Sequence, residues 1–189
     1  MSSEEILLRR RGIMAKKADV YKKMPFTIVA NEDGTLLIDL SVLKTRTTIK
    51  TNLNNNGWIT HTLDYDTTSN VSISLSTGDE LSIIASGVWG KNATQNNGDT
   101  ITFSGHFSLK GNIMSLCSGD NYLKAKTLSN YAFCDLFKSS TSPKIDDISN
   151  LRLPATKMGK SCYFSLFRNC KYITSTPDLP SKSLETNCY

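Results

Sequence analysis

Cys162-Tyr163-Phe164-Ser165-Leu166-Phe167-Arg168-Asn169-Cys170, with the Pro177-Asp178-Leu179-Pro180 that follows, decides how this chain is read, because its parts recur elsewhere. Leu153-Pro154 returns as Leu179-Pro180, Met158 as Leu184 and Cys162-Tyr163 as Cys188-Tyr189, three landmarks that share one step of 26 residues. Self-similarity at a fixed spacing marks stacked units, each too small to bury its apolar face alone. Backward, Ala132-Phe133-Cys134-Asp135-Leu136-Phe137-Lys138 aligns with Cys162 to Arg168 at a step of 30, with the extra residues around Pro143 read as a loop. Within a unit, Cys162, Tyr163, Leu166, Phe167 and Cys170 keep the spacing of a short amphipathic helix whose Arg168 and Asn169 face water. Tyr172-Ile173-Thr174 then predicts a short strand, and the prolines at 177 and 180 hold the chain extended.

A step of 26 lies within the roughly 20–29 residues of leucine-rich repeats, one helix and one strand per unit. The residues resemble the cysteine-containing leucine-rich repeats of the BspA-like class, found in surface proteins of gut Bacteroidales and in proteins of their phages. Cys162-Tyr163, Leu166-Phe167, Cys170, Pro177-Asp178-Leu179-Pro180 and Leu153-Pro154-Ala155 carry the likeness, which covers about residues 113–189. The earlier unit departs from the pattern at Ala132, Ser139 and Ser140, as a capping repeat would. Stopping at Cys188-Tyr189 leaves a third unit barely begun, and the resemblance implies a natural chain that continues.

Between Pro25 and Leu109 the period changes to two. Phe26 to Ala30 precede the turn Glu32-Asp33-Gly34, after which Leu36, Ile38, Leu40 and Val42 alternate with Leu37, Asp39 and Ser41, a hairpin pattern. Trp58 to Leu63, Val71 to Leu75, Leu81 to Ala85 and Ile101 to Leu109 follow, each set off by turn residues. Six or seven short strands at this spacing predict an antiparallel sandwich of immunoglobulin-like architecture, although no Cys precedes Cys117 and the antibody Cys…Trp…Cys signature is missing.

The chain has 189 residues, 39% hydrophobic and 21% charged, with a formal charge of +5. Residues 1–23 hold seven of the cations against three anions, so the rest is nearly neutral and a nucleic-acid surface is not indicated. The opening predicts a basic helix capped by Ser2 or Ser3, with Ile6, Leu7, Leu8, Ile13 and Met14 apolar and Arg9, Arg10 and Arg11 beside them. That apolar set cannot stabilise a free helix. It is either a solvated terminus or an anchor that docks on a partner; a membrane-surface helix is disfavoured by its lack of aromatics. Ile6-Leu7-Leu8 is too short for a secretory signal, and no apolar run reaches the ~20 residues of a membrane span, so a product of the host cytosol is expected.

Chemistry-bearing motifs are sparse. Five cysteines, Cys117, Cys134, Cys162, Cys170 and Cys188, fall in the repeat half; an odd count without a secretory context reads as reduced, buried thiols. None has the close pairing of a metal site, and His61 and His106 read as structural strand histidines. Asp64, Asp66, Asp79 and Glu80 read as turn residues rather than a catalytic pair, and Trp58 and Trp89 as core aromatics at strand ends. No phosphate loop, dinucleotide fingerprint or calcium loop occurs.

The expectation is therefore a mainly β chain with some α: an anchoring helix over 1–23, an immunoglobulin-like antiparallel sandwich over 24–110, and a short leucine-rich-repeat segment of helix plus strand over 111–189. The resemblance and the leader together imply a non-enzymatic virion protein, a head fibre or capsid decoration. It would be held to capsid or tail proteins by Ile6, Leu7, Leu8, Arg9, Arg10, Arg11, Ile13 and Met14. Such a subunit would form a homo-oligomer, a trimer by preference, and present a surface to a host glycan or protein. No cofactor, metal, specific nucleic acid or membrane span is expected. A bacterial cell-surface adhesin is the alternative, and a glycan-acting enzyme has no residue set in its favour.

Overall fold

Alternation of apolar and polar residues sets the strands. In the computed structural model, which describes residues 20–40, 47–64, 70–87, 100–137 and 143–188, nine strands are formed: β1 (Phe26–Ala30), β2 (Gly34–Asp39), β3 (Thr47–Leu53), β4 (Ile59–Leu63), β5 (Asn70–Leu75), β6 (Glu80–Ala85), β7 (Thr100–Phe103), β8 (Phe107–Asn112) and β9 (Ile145–Arg152). The protein is mainly β, as the sequence predicts. One sheet runs β4-β3-β6-β1-β8-β9 and the other β5-β2-β7. Phe26, Ile28, Leu36, Ile38, Ile49, Ile83, Ile101 and Phe107, drawn from both sheets, share one buried apolar cluster.

The hairpin expected at Asp33-Gly34 is not formed. β1 pairs with β6 and β8, whereas β2 pairs with β5 and β7, so the turn carries the chain from one sheet to the other. Its exit is fixed by the carbonyl of His106, which accepts from the N–H groups of Asn31 (2.8 Å) and Glu32 (3.2 Å). Gly34 passes the second crossing so closely that a Cβ there would lie 2.8 Å from the Gly105 nitrogen.

The large sheet also runs through the boundary expected at 110. β8 spans it, and β9 adds to β8 in parallel, the one parallel pairing among these strands. The crossover between them contains the short helix α1 (Ser115–Ser118), whose Ser115 hydroxyl donates to Ile83 O and accepts from Phe26 N–H, both at 2.8 Å.

Beyond the crossover the helix predicted over Cys162–Cys170 and the strand over Tyr172–Thr174 are absent. The chain instead makes overlapping turns. Cys162, Phe164, Leu166, Arg168 and Cys170 each donate an N–H three residues back, at 3.0–3.4 Å, and Ser161, Tyr163, Ser165 and Asn169 have φ between 56° and 67°. The earlier unit repeats this: Ala132, Cys134 and Leu136 donate three residues back, while Tyr131, Phe133 and Asp135 have φ of 57–63°. Four of the positive-φ residues send their N–H groups across to the neighbouring unit, Tyr131 to Lys160 O (2.8 Å), Tyr163 to Ala132 O (3.0 Å), Asp135 to Phe164 O (2.9 Å) and Ser161 to Thr186 O (2.9 Å). A helix would consume every N–H within its own segment. Here these four tie one unit to the next, and the positive φ at each is what points them outward.

Residues 30 apart consequently stack. Phe133 lies on Tyr163 (centroids 5.8 Å, 11°) and Phe137 on Phe167 (5.7 Å, 7°). Leu128 and Met158, Ala132 and Cys162, and Leu136 and Leu166 are buried at equivalent places. Cysteine does more here than fill space: the Cys162 thiol reaches Gly159 O (2.9 Å) in its own unit and Ser129 O (3.1 Å) in the one before, and Cys188 Sγ reaches Gly159 O (3.5 Å).

Candidate partner-binding groove

The stack and the sandwich meet along a groove of about 560 Å³. Three separate parts of the chain wall it. Residues 20–23 are helical and bring Lys22 and Lys23. They are held there because Tyr122 Oη donates to Lys23 O (2.5 Å) and Asn112 N–H donates to Met24 O (2.9 Å). The ends of β8 and β9 bring Asn112 and Arg152, and the stack brings Lys126, Thr156 and Asp178. The floor is aliphatic, from Leu123, Leu153, Pro154 and Pro180, and no lining residue is aromatic. Pro154 and Pro180 are the same landmark in successive units, 26 residues apart.

Four cations and one carboxylate, Asp178, line the groove, and three of the cations, Lys23, Lys126 and Arg152, outnumber it on their own. Arg152 is the most constrained of the four. Its Nη1 donates to Ser149 O (3.0 Å) and Leu151 O (3.1 Å), while its Nε is buried without a hydrogen-bond partner. Among the described residues no carboxylate pairs with Arg152, Lys23 or Lys126.

A second polar cluster lies at a corner of the sandwich. His106 Nδ1 is 2.7 Å from Asp146 Oδ1, Asn31 Nδ2 donates to Asp146 Oδ2 (2.6 Å), and the Tyr172 ring meets the imidazole edge-on at 4.9 Å. No hydroxyl or thiol among the described residues bonds the other ring nitrogen. What the cluster does is clasp four segments: the first inter-sheet turn, the turn between β7 and β8, β9 and the tail of the stack. His106, expected in a strand, lies instead in the turn between β7 and β8 and has a carboxylate partner that no sequence spacing announces, 40 residues away.

The other sequence candidates separate widely. Ile6, Leu7, Leu8, Arg9, Arg10, Arg11, Ile13 and Met14 lie outside the described residues, as do Asp66 and Trp89. Trp58, expected in the core, is 44% exposed. His61 is hydrogen-bonded to Thr51 Oγ1 (2.8 Å), and burial pulls its pKa down. Asp79 accepts from Asn54 Nδ2 and Ser76 N–H, which hold its carboxyl below the usual range, and Glu80 pairs with Lys110. None of the five cysteines is in a disulfide; burial raises Cys162 and Cys170 to about 11. Among the described residues no three His, Cys, Asp or Glu side chains form a metal cage, and no helix is long and apolar enough to cross a membrane. The cations of the groove were not singled out from sequence, because they stand at 22, 23, 126 and 152 and only the fold brings them together. The one local signal was the repeated Leu-Pro that makes the floor.

No protein-family model, no curated protein and no solved structure matches this chain.

Proposed function

We propose that this protein is a non-enzymatic structural and display subunit of a phage virion, a fibre or decoration protein of head or tail. In this reading the basic leader anchors it to the particle, the sandwich is an immunoglobulin-like stem, and the turn stack is a short run of BspA-like leucine-rich repeats facing a host glycan or protein. The observation that carries the reading is the way the leader's end is fastened. Residues 20–23 are gripped by Tyr122 and Asn112, which fixes the point at which the leader joins the body. A leader with Arg9, Arg10, Arg11, Lys16 and Lys17 issuing from a rigid body suits an anchor that docks on an acidic assembly surface. The resemblance at Cys162-Tyr163 and Leu179-Pro180 supplies the kind of particle.

Light scattering of residues 1–189 beside residues 20–189 tests the anchor. The display reading expects multimers, trimers by preference, that require the leader. Monomers from both chains, together with genomic neighbours that encode carbohydrate uptake rather than capsid and portal proteins, would transfer the repeats to a cell-surface adhesin.

A further inference from the structure

We propose that the groove between residues 20–23, the ends of β8 and β9 and the turn stack is a docking site for an extended acidic segment of a partner protein, with a carboxylate of that segment on Arg152. Charge selects the ligand's sign. Lys23, Lys126 and Arg152, none of them paired with a carboxylate among the described residues, face one Asp178, and the half-buried Arg152 guanidinium is best matched by a planar carboxylate. Bonds to two backbone carbonyls hold that guanidinium in place, so little side-chain freedom is lost when the anion arrives.

The floor selects the ligand's class. Single-stranded nucleic acid binds where bases can stack on aromatic rings, and none of the lining side chains is aromatic. Leu123, half exposed, and the prolines at 154 and 180 offer instead an aliphatic surface suited to Leu, Val or Pro side chains. At about 560 Å³ the groove falls within the ~300–1,000 Å³ typical of ligand sites, room for a few residues of extended chain. Because Pro154 and Pro180 are equivalent points of successive units, a segment lying across the stack meets the same apolar step twice.

This inference does not rest on the display reading, since it concerns side chains outside residues 1–19 of the folded chain. The probe is a dye-labelled octapeptide of alternating leucine and glutamate, read by fluorescence anisotropy on the full chain at low salt. An octapeptide of leucine and glutamine, an oligothymidine and a heparin fragment serve as comparators. The acidic peptide is expected to bind, and Arg152→Gln or Lys126→Glu to weaken it about tenfold or more, as loss of a charge-assisted contact does. Lys126 is exposed, so its variant keeps the test decisive should Arg152→Gln fail to fold. Equal binding of the glutamine peptide, or Lys126→Glu without effect, would overturn the proposal. Tighter capture of heparin or oligothymidine would too, since it assigns the cations to another polymer. A probe that binds only after residues 1–19 are removed would give the groove to the chain's own leader. Self-association that Lys126→Glu abolishes would give it to a second copy.

Discussion

Asp33 fixes the loops at one end of the sandwich through one carboxylate. Its Oδ1 accepts from the N–H and hydroxyl of Thr77 (2.7 and 2.9 Å), and those bonds, the backbone one foremost, hold its carboxyl below the ordinary range. Asp79 is lowered in the same way, first by Asn54 and then by Ser76 N–H. Both groups are more acidic folded than unfolded, so their contribution is complete above the unfolded value of about 4 and is lost as pH falls through the folded values. Urea midpoints measured from pH 5 to 2 should therefore fall, and Asp33→Asn should flatten that fall while lowering the plateau. An unchanged slope would mean that Asp33 does not carry this linkage. The thiols offer a second residue-scale test. At pH 8 a group with a pKa of about 11 is thiolate in about one molecule per thousand, so the partly buried Cys170 should alkylate slowly in the folded protein. Its rate should climb about tenfold per pH unit up to pH 10. Rapid labelling of Cys170 by iodoacetamide at pH 8 would contradict the burial assigned to it.

At the scale of elements, the turn ladder and a helix predict opposite signs for one substitution. Ser165 has φ of 56°, a conformation that costs an ordinary residue about 1–2 kcal/mol, whereas glycine adopts it freely and loses only about 0.5–1 kcal/mol through unfolded-state entropy. Ser165→Gly should thus be neutral or stabilising by up to about 1 kcal/mol, where in a helix interior it would cost about as much. Ser165→Val should destabilise. Leu166→Ala, at a buried stacking position, should cost about 2–5 kcal/mol, and Arg168→Ala should be nearly neutral. Denaturant titration reads all four. The same element shows where sequence reading succeeds and where it stops. The inward positions Cys162, Tyr163 and Leu166 were legible from spacing, because burial is a property of the side chain. Backbone sign was not, because Tyr131, Phe133 and Tyr163 take φ above zero without a glycine to announce it, and the carbonyls that accept the Tyr131 and Tyr163 N–H groups lie one unit away. β9 was missed for a related reason. Its pairing with β8 shifts register twice, so Ile145, Ile148 and Leu151 are buried at a spacing of three, and a period-two test passes over them.

Across the whole molecule, the sandwich and the stack are joined by a column of rings. Phe26 of β1 meets Phe137 (6.0 Å, 27°), and Phe137 meets Phe167 (5.7 Å, 7°), so the innermost strand of the large sheet and two successive units of the stack share one aromatic core. Ile101 N–H of β7 also donates to Leu136 O (2.9 Å), which ties the smaller sheet to the same unit. A protein of independent modules would melt in two steps, with the repeats and the sandwich lost separately. Here the apolar cluster is continuous from Ile28 to Cys188, and cooperative unfolding follows from shared burial. Calorimetry of the full chain should show one transition with matching calorimetric and van't Hoff enthalpies. Phe137→Ala should move that transition down as a whole, by about 3–5 kcal/mol, rather than split it. Residues 24–110 alone should not fold, because that fragment lacks β9 and the Ser115 hydroxyl that meets Phe26 N–H and Ile83 O. A folded 24–110 fragment with native-like amide dispersion, or two separate melting transitions in the intact chain, would show that the ring column joins two bodies without making them one.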